Sequence, residues 1–121
     1  MKVYIAGPYS VGGVEENVKR AIAEGETLMR AGHVAFVPHL YHTWDLVYKH
    51  NWHEWMVQCL HWVRACDALV RIPGESKGAD IEVMVAMSHS MGVFESAIEL
   101  INICGNGDLG SMEKLLNQAS K

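Results

Sequence analysis

The stretch Ala68-Leu69-Val70-Arg71-Ile72-Pro73-Gly74-Glu75-Ser76-Lys77-Gly78-Ala79-Asp80-Ile81-Glu82-Val83-Met84-Val85-Ala86-Met87 falls into three parts. Residues 68–72 are a short, mostly apolar run that reads as a strand, stopped by Pro73-Gly74. Glu75 to Gly78 reads as a loop, and residues 79–90 as a helix. A strand that feeds a helix through a Gly-containing loop is the unit from which parallel sheets are built.

Working outward, the same alternation recurs. Lys2 to Ala6 is a strand closed by Gly7-Pro8. Val18, Ala21, Ile22, Gly25, Leu28 and Met29 recur at helical spacing, with Gly32 as the stop. Val34 to Val37 is a second strand ending at Pro38-His39. Residues 40–51 have no clear period and read as a long loop with at most one helical turn. Trp52, Trp55, Met56, Cys59, Leu60 and Val63 mark a second amphipathic helix. Gly92 to Phe94 supplies a fourth strand, Ala97 to Ile103 a further helix, and Met112 to Gln118 a last one.

This pattern predicts a single α/β domain over residues 1–121. Its core is an open parallel sheet of about four to five strands with helices on both faces, Rossmann-like in layout. Right-handed crossovers then gather the loops after each strand at one edge. Ligands bind at that edge in open α/β sheets. It carries Gly7-Pro8-Tyr9-Ser10, Pro38-His39 and Pro73-Gly74-Glu75-Ser76.

Composition narrows the partners. A net charge of −4 with scattered Lys and Arg argues against a nucleic-acid polymer. No apolar run approaches the roughly 20 residues of a membrane span, and the chain enters its first strand at once, so a cytoplasmic protein without a membrane is expected. Cys59, Cys66 and Cys104 share no CxxC spacing and read as reduced thiols, the first two packed in a helix stripe. Seven histidines are present, but no HExxH, and no Cys or carboxylate completes a known zinc spacing. No metal and no cofactor is expected.

Glu82 is the residue that carries chemistry. It is a carboxylate in an almost wholly apolar helix, one turn past the carboxyl end of a strand, and is therefore either buried or turned to the pocket. The helix dipole favours its ionised form and burial disfavours it, a balance suited to a nucleophile that must leave again. A surface Glu on the helix's polar stripe is the alternative. Asp80 lies roughly 200° around the helix from Glu82 and reads as a charge serving the dipole. Glu75 sits on the loop, and Asp67 lies at the far edge of the sheet. The first loop, Gly7-Pro8-Tyr9-Ser10-Val11-Gly12-Gly13, matches neither GxGxxG nor GxxxxGK[ST]. It suits a sugar hydroxyl or a single phosphate, or a plain tight turn. His39, at the end of the second strand, is placed to contact substrate. Trp52, Trp55 and Trp62 share a helical face and read as core or subunit interface, while Tyr41 or Trp44 is placed to cover a nucleobase.

Taken in order, Val3-Tyr4-Ile5-Ala6-Gly7-Pro8-Tyr9-Ser10, Pro38-His39-Leu40, Cys66-Asp67-Ala68-Leu69 and Ser76-Lys77-Gly78-Ala79-Asp80-Ile81-Glu82 resemble the nucleoside 2-deoxyribosyltransferase superfamily. The likeness is closest to a small group within it that has no assigned function, and it covers most of residues 2–94. It implies a flavodoxin-like fold and a Glu nucleophile four residues after a loop glycine, here Glu82 after Gly78. It further implies a first-strand tyrosine, Tyr4, that holds the nucleophile, and a homodimer or larger homo-oligomer. The substrate would be a nucleoside or nucleoside 5′-monophosphate. Gly7, Pro8, Tyr9, Ser10, His39, Ser76 and Gly78 would shape its pocket, with Ser10 and Ser96 as candidate phosphate contacts. Many of the transferases carry Asp six residues before the nucleophile, where this chain has Ser76. A non-catalytic nucleotide-binding or sensing module using the same pocket is the rival expectation. An interaction protein built on the Trp-rich helix is a third.

Overall fold

A computed structural model describes residues 1–120. Four strands, β1 (Lys2–Ala6), β2 (Val34–Phe36), β3 (Ala68–Arg71) and β4 (Gly92–Phe94), form one parallel sheet in the order β2-β1-β3-β4. The register sets Val3 opposite Ala35, Tyr4 opposite Leu69 and Val70 opposite Phe94. The fold is α/β and consistent with the flavodoxin-like layout, in which β1 and β3 flank the point where the strand order reverses.

Alternation along the strands divides the interior in two. Val3 and Ile5 of β1, with Ala68 and Val70 of β3, face helices α1 (Val14–Arg30) and α5 (Ala97–Cys104) through Ala21, Leu28, Ala97 and Leu100. Tyr4, Ala6 and Leu69 face α3 (Trp52–Ala65) and α4 (Lys77–Ser88) through Cys59, Val63, Ala79 and Ala86. Ile5, Leu28, Leu69, Val70 and Leu100 are wholly buried, each stabilising the fold by on the order of 1.5–3 kcal/mol.

Local signals fix the helix ends. The Asn51 side chain accepts the Glu54 amide at 2.8 Å while Glu54 accepts the Asn51 amide at 3.2 Å, a capping box that starts α3. The Ser76 hydroxyl accepts the Ala79 amide at 3.0 Å and starts α4 at Lys77, two residues before the expected position.

Residues 40–51 depart from the expected loop. Pro38–Leu40 is a 3-10 turn that runs directly into α2 (Tyr41–Val47). Helix α2 buries none of its residues, so it leaves no hydrophobic period to read. It is held by aromatic contacts instead: Tyr41 stacks on Trp55 at 4.9 Å, and Trp44 meets Trp55 edge-on at 5.5 Å. Trp52, Trp55 and Trp62 were read as core or subunit interface, and the first alternative is corrected, since none of the three is buried. Trp52 and Trp62 are about half exposed: Trp52 lies against Lys77 and Gly78 at the start of α4, and Trp62 stacks on Phe36 at the β2 edge. Cys59 is buried in α3 as expected, whereas Cys66 lies just past the helix end and is half-buried.

Past α5 the chain turns back to the amino end of the sheet. The Gly107 amide donates to the Ala31 carbonyl at 2.8 Å, and His33 Nε2 donates to the Gly105 carbonyl at 2.9 Å. The last helix, α6 (Gly110–Ala119), buries none of its residues. Among the described residues, no helix is long and apolar enough to cross a membrane.

Candidate functional site

The chain leaves β1 for α1 on one face of the sheet and leaves β3 for α4 on the other. The carboxyl ends of these neighbouring strands therefore part and open onto a crevice. The crevice holds a cavity of about 530 Å³, within the range of small-molecule sites. The loop after β1, the 3-10 turn, α2, the first two turns of α3 and the amino end of α4 enclose it.

Glu82 lines this cavity yet is only 5 % exposed. Tyr4, wholly buried in β1, donates its hydroxyl hydrogen to Glu82 Oε2. Burial pushes the Glu82 carboxyl up to about 7, while the Tyr4 hydroxyl and then the Arg71 guanidinium pull it down. Burial first, and the Glu82 carboxylate second, hold the Tyr4 hydroxyl well above the ordinary phenol range. Tyr4 is thus a fixed hydrogen-bond donor and not a proton source. Cys59 also lines the cavity, but burial pushes its thiol up to about 11, so it is no nucleophile at neutral pH.

The remaining expected residues take distinct places. Gly7, Tyr9, Ser10, His39, Ser76 and Gly78 line the cavity with Glu82. Pro8 stands behind the wall and supports it, its carbonyl accepting from His39 Nε2 at 3.0 Å. That bond fixes the His39 tautomer, because a carbonyl only accepts. Burial lowers the His39 pKa, and the buried Nδ1 is left with no partner. Ser76 is committed to capping α4, which accounts chemically for what the hydroxyl does in place of a carboxylate. Gly78 acts through space and not through its backbone freedom. A Cβ there would lie 3.1 Å from Met56 Sδ, a tight contact to which the methionine would have to yield, and 3.7 Å from Trp52 Nε1, an ordinary one.

Ser96 falls outside the cavity. It follows β4 and caps α5, accepting the Glu99 amide at 3.0 Å, and α5 packs on the opposite face of the sheet from α3 and α4. It borders a separate shallow depression with Arg20 and Pro73. Asp80 is turned away to Arg71 at 2.9 Å, as its helical position required.

Several residues of the wall, and Asn17 behind it, were not singled out as site residues from the sequence. Asn17, 4 % exposed in the first turn of α1, donates from its amide nitrogen to the carbonyls of Tyr9 (2.8 Å) and Val11 (2.7 Å) and so ties down the first loop. Trp55, Met56 and Asp45 line the cavity from α3 and α2. The helical spacing of Trp52, Trp55, Met56 and Cys59 was the available signal, although it could not say which side faced a cavity. Asn17 and Asp45 gave none.

Residues 1–95 match the model of the family described as a domain of unknown function, DUF4406. The chain belongs to this family. The DUF4406 match spans every cavity-lining residue from Gly7 to Glu82, whereas α5 and α6 lie beyond it. No curated protein matches the chain. Among the described residues, no three His, Cys, Asp or Glu side chains come together in a way that could hold a metal ion.

Proposed function

We propose that this chain breaks or transfers the N-glycosidic bond of a nucleoside or nucleoside 5′-monophosphate, with Glu82 as its nucleophile. The observation that carries this reading is the Tyr4–Glu82 hydrogen bond at the inner end of the cavity. It occupies Oε2 and leaves Oε1 for the anomeric carbon. The resemblance of the Tyr4, Gly78 and Glu82 motifs to the nucleoside 2-deoxyribosyltransferase superfamily supports the same reading.

In this scheme the ionised Glu82 attacks the anomeric carbon as the bond to the base nitrogen breaks. The bonding electrons leave on the base, which takes a proton from water. Positive charge that develops on the sugar is stabilised by the carboxylate in a site where water screens it little. The covalent sugar–Glu82 ester is then opened by water, or by a second base, restoring the carboxylate. A carboxylate whose acid has a pKa near 7 is a stronger nucleophile and a poorer leaving group than an ordinary one, so the raised value favours the first step over the second. His39 and the first-loop residues Tyr9 and Ser10 border the sugar end.

The test is release of free base from a panel of nucleosides and 5′-monophosphates, with Glu82→Ala beside the wild type. Release that vanishes in the variant supports the mechanism, and full turnover in the variant rules it out. Tight binding with no release from any member would turn the reading to a nucleotide-sensing module.

A further inference from the structure

Asp45 stands on α2 at the cavity wall, half-buried, with its two oxygens in different situations. Oδ1 accepts the His50 amide at 2.9 Å and the Trp55 indole N–H at 2.7 Å. Oδ2 has only the ammonium of Lys49 at 3.7 Å, on a side chain 88 % exposed, a contact that contributes little. The two N–H donors fix the carboxylate plane and leave one acceptor uncommitted. They also hold Asp45 ionised, the His50 amide most strongly.

Beside it is a rigid aromatic wall. Trp55 is locked by its bond to Asp45, stacks on Tyr41, and is braced edge-on by Trp44 and by His50 at 5.1 Å. Its position along α3 relates it to the reacting centre. Cys59 packs with Tyr4 beneath Glu82, and Trp55 and Trp52 precede it by one and two turns. At 1.5 Å per residue they stand about 6 and 10 Å from Cys59 along α3. A sugar seated on Glu82 would put its base at that level.

Resting on the glycosidic reading above, we infer that Trp55 and Asp45 form the subsite for the base, and that Asp45 Oδ2 selects bases whose edge presents an exocyclic amino group. Adenine and cytosine offer an N–H donor there, whereas hypoxanthine and uracil offer a carbonyl oxygen that would face the carboxylate unpaired. A carbonyl oxygen left facing a carboxylate in this way is discriminated against.

Asp45→Asn gives the decisive variant. The two N–H donors at Oδ1 oblige the amide oxygen to stay there, so the NH₂ group takes the place of Oδ2 and a donor replaces the acceptor. The preference should therefore invert, not merely fade. Titration calorimetry of the full chain with adenine, hypoxanthine, cytosine and uracil reads this directly and needs no turnover. The wild type should bind the amino member of each pair about tenfold more tightly, and Asp45→Asn should favour the keto member. Equal affinity within each pair, an unchanged preference in the variant, or no binding of any base would overturn the inference. If the variant does not fold, the wild-type ratios decide alone. Binding with the inverted preference in a protein that releases no base would uphold the subsite and remove the glycosidic reading instead.

Discussion

Tyr4 and Glu82 are 78 positions apart in the chain and meet in one buried hydrogen bond, the phenol donating and the carboxylate accepting. The sheet makes this possible. Tyr4 points to the α3–α4 face because Val3 and Ile5 point to the other, and Glu82 descends from the amino end of α4 towards the same spot. Removing the donor leaves the carboxylate buried without its partner. Tyr4→Phe should raise the Glu82 pKa further, since the hydroxyl supports only the charged form. Under the proposed mechanism, base release should fall roughly 10- to 100-fold, the range for a hydrogen bond to a charged group. The acid limb of its pH profile should also move to higher pH. A profile that stays in place while the rate falls would deny Tyr4 its role towards Glu82.

The raised Glu82 pKa has a consequence for stability that needs no substrate. Between pH 4.5, the ordinary value, and about 7, the folded protein holds a proton that the unfolded chain has released. The folded state binds more protons, so stability falls as pH rises across this window. The contribution is fully present below about pH 4.5 and lost through pH 7, amounting to roughly 3 kcal/mol. His39 acts in the opposite sense, because burial lowers its pKa and favours the folded state at higher pH. The two are separated by difference. Denaturant unfolding of wild type and Glu82→Gln should agree near pH 4.5, and the variant should be the more stable by about 3 kcal/mol at pH 8. Parallel curves would show that Glu82 is not buried as a protonated acid.

The fold was legible where one face of an element is buried. The strands Lys2–Ala6 and Ala68–Arg71 and the helices on either side of them carry apolar runs or stripes that fix their type and order. Glu82 stood out for the same reason, as a charge where every neighbour is apolar. Helix α2 was not legible, because its hold on the protein is the stacking of Tyr41 and Trp44 on Trp55, a contact made only once α3 is in place. The cavity wall contributed by Asp45 was hidden with it. The placement of Ser96 failed differently. Its distance along the chain from Glu82 says nothing about which face of the sheet it serves, and the capping of α5 decides that.

Asn17 tests how far the first loop depends on a single side chain. Its amide nitrogen satisfies two carbonyls, those of Tyr9 and Val11, in a partly buried setting. Asn17→Ala leaves both without this donor, and the cost should be about 2 kcal/mol. The loss should be local as well as global. Hydrogen exchange of the amides in residues 9–13 should quicken more than that of β1 or β3. Uniform quickening across the sheet would mean that Asn17 supports the core and not the loop.

Gly74 joins the loop after β3 to the loop after β1. Its φ of +130° lies where side chains are rarely tolerated, and a Cβ would come within 2.6 Å of Pro8 Cγ. Gly13 shares the conformational demand, with φ of +105°, but a Cβ there would meet nothing within 4 Å. The pair separates backbone strain from packing. Gly13→Ala should cost about 1–2 kcal/mol, from the backbone alone. Gly74→Ala should cost a further 1–3 kcal/mol, because the pyrrolidine ring of Pro8 is stiff and must be displaced. Displacing Pro8 also moves the carbonyl that fixes His39, so the histidine titration should shift in the Gly74 variant and not in the Gly13 variant. Paired thermal unfolding and NMR titration of His39 read both effects. Equal destabilisation with no change at His39 would show that the two loops are not coupled through Pro8.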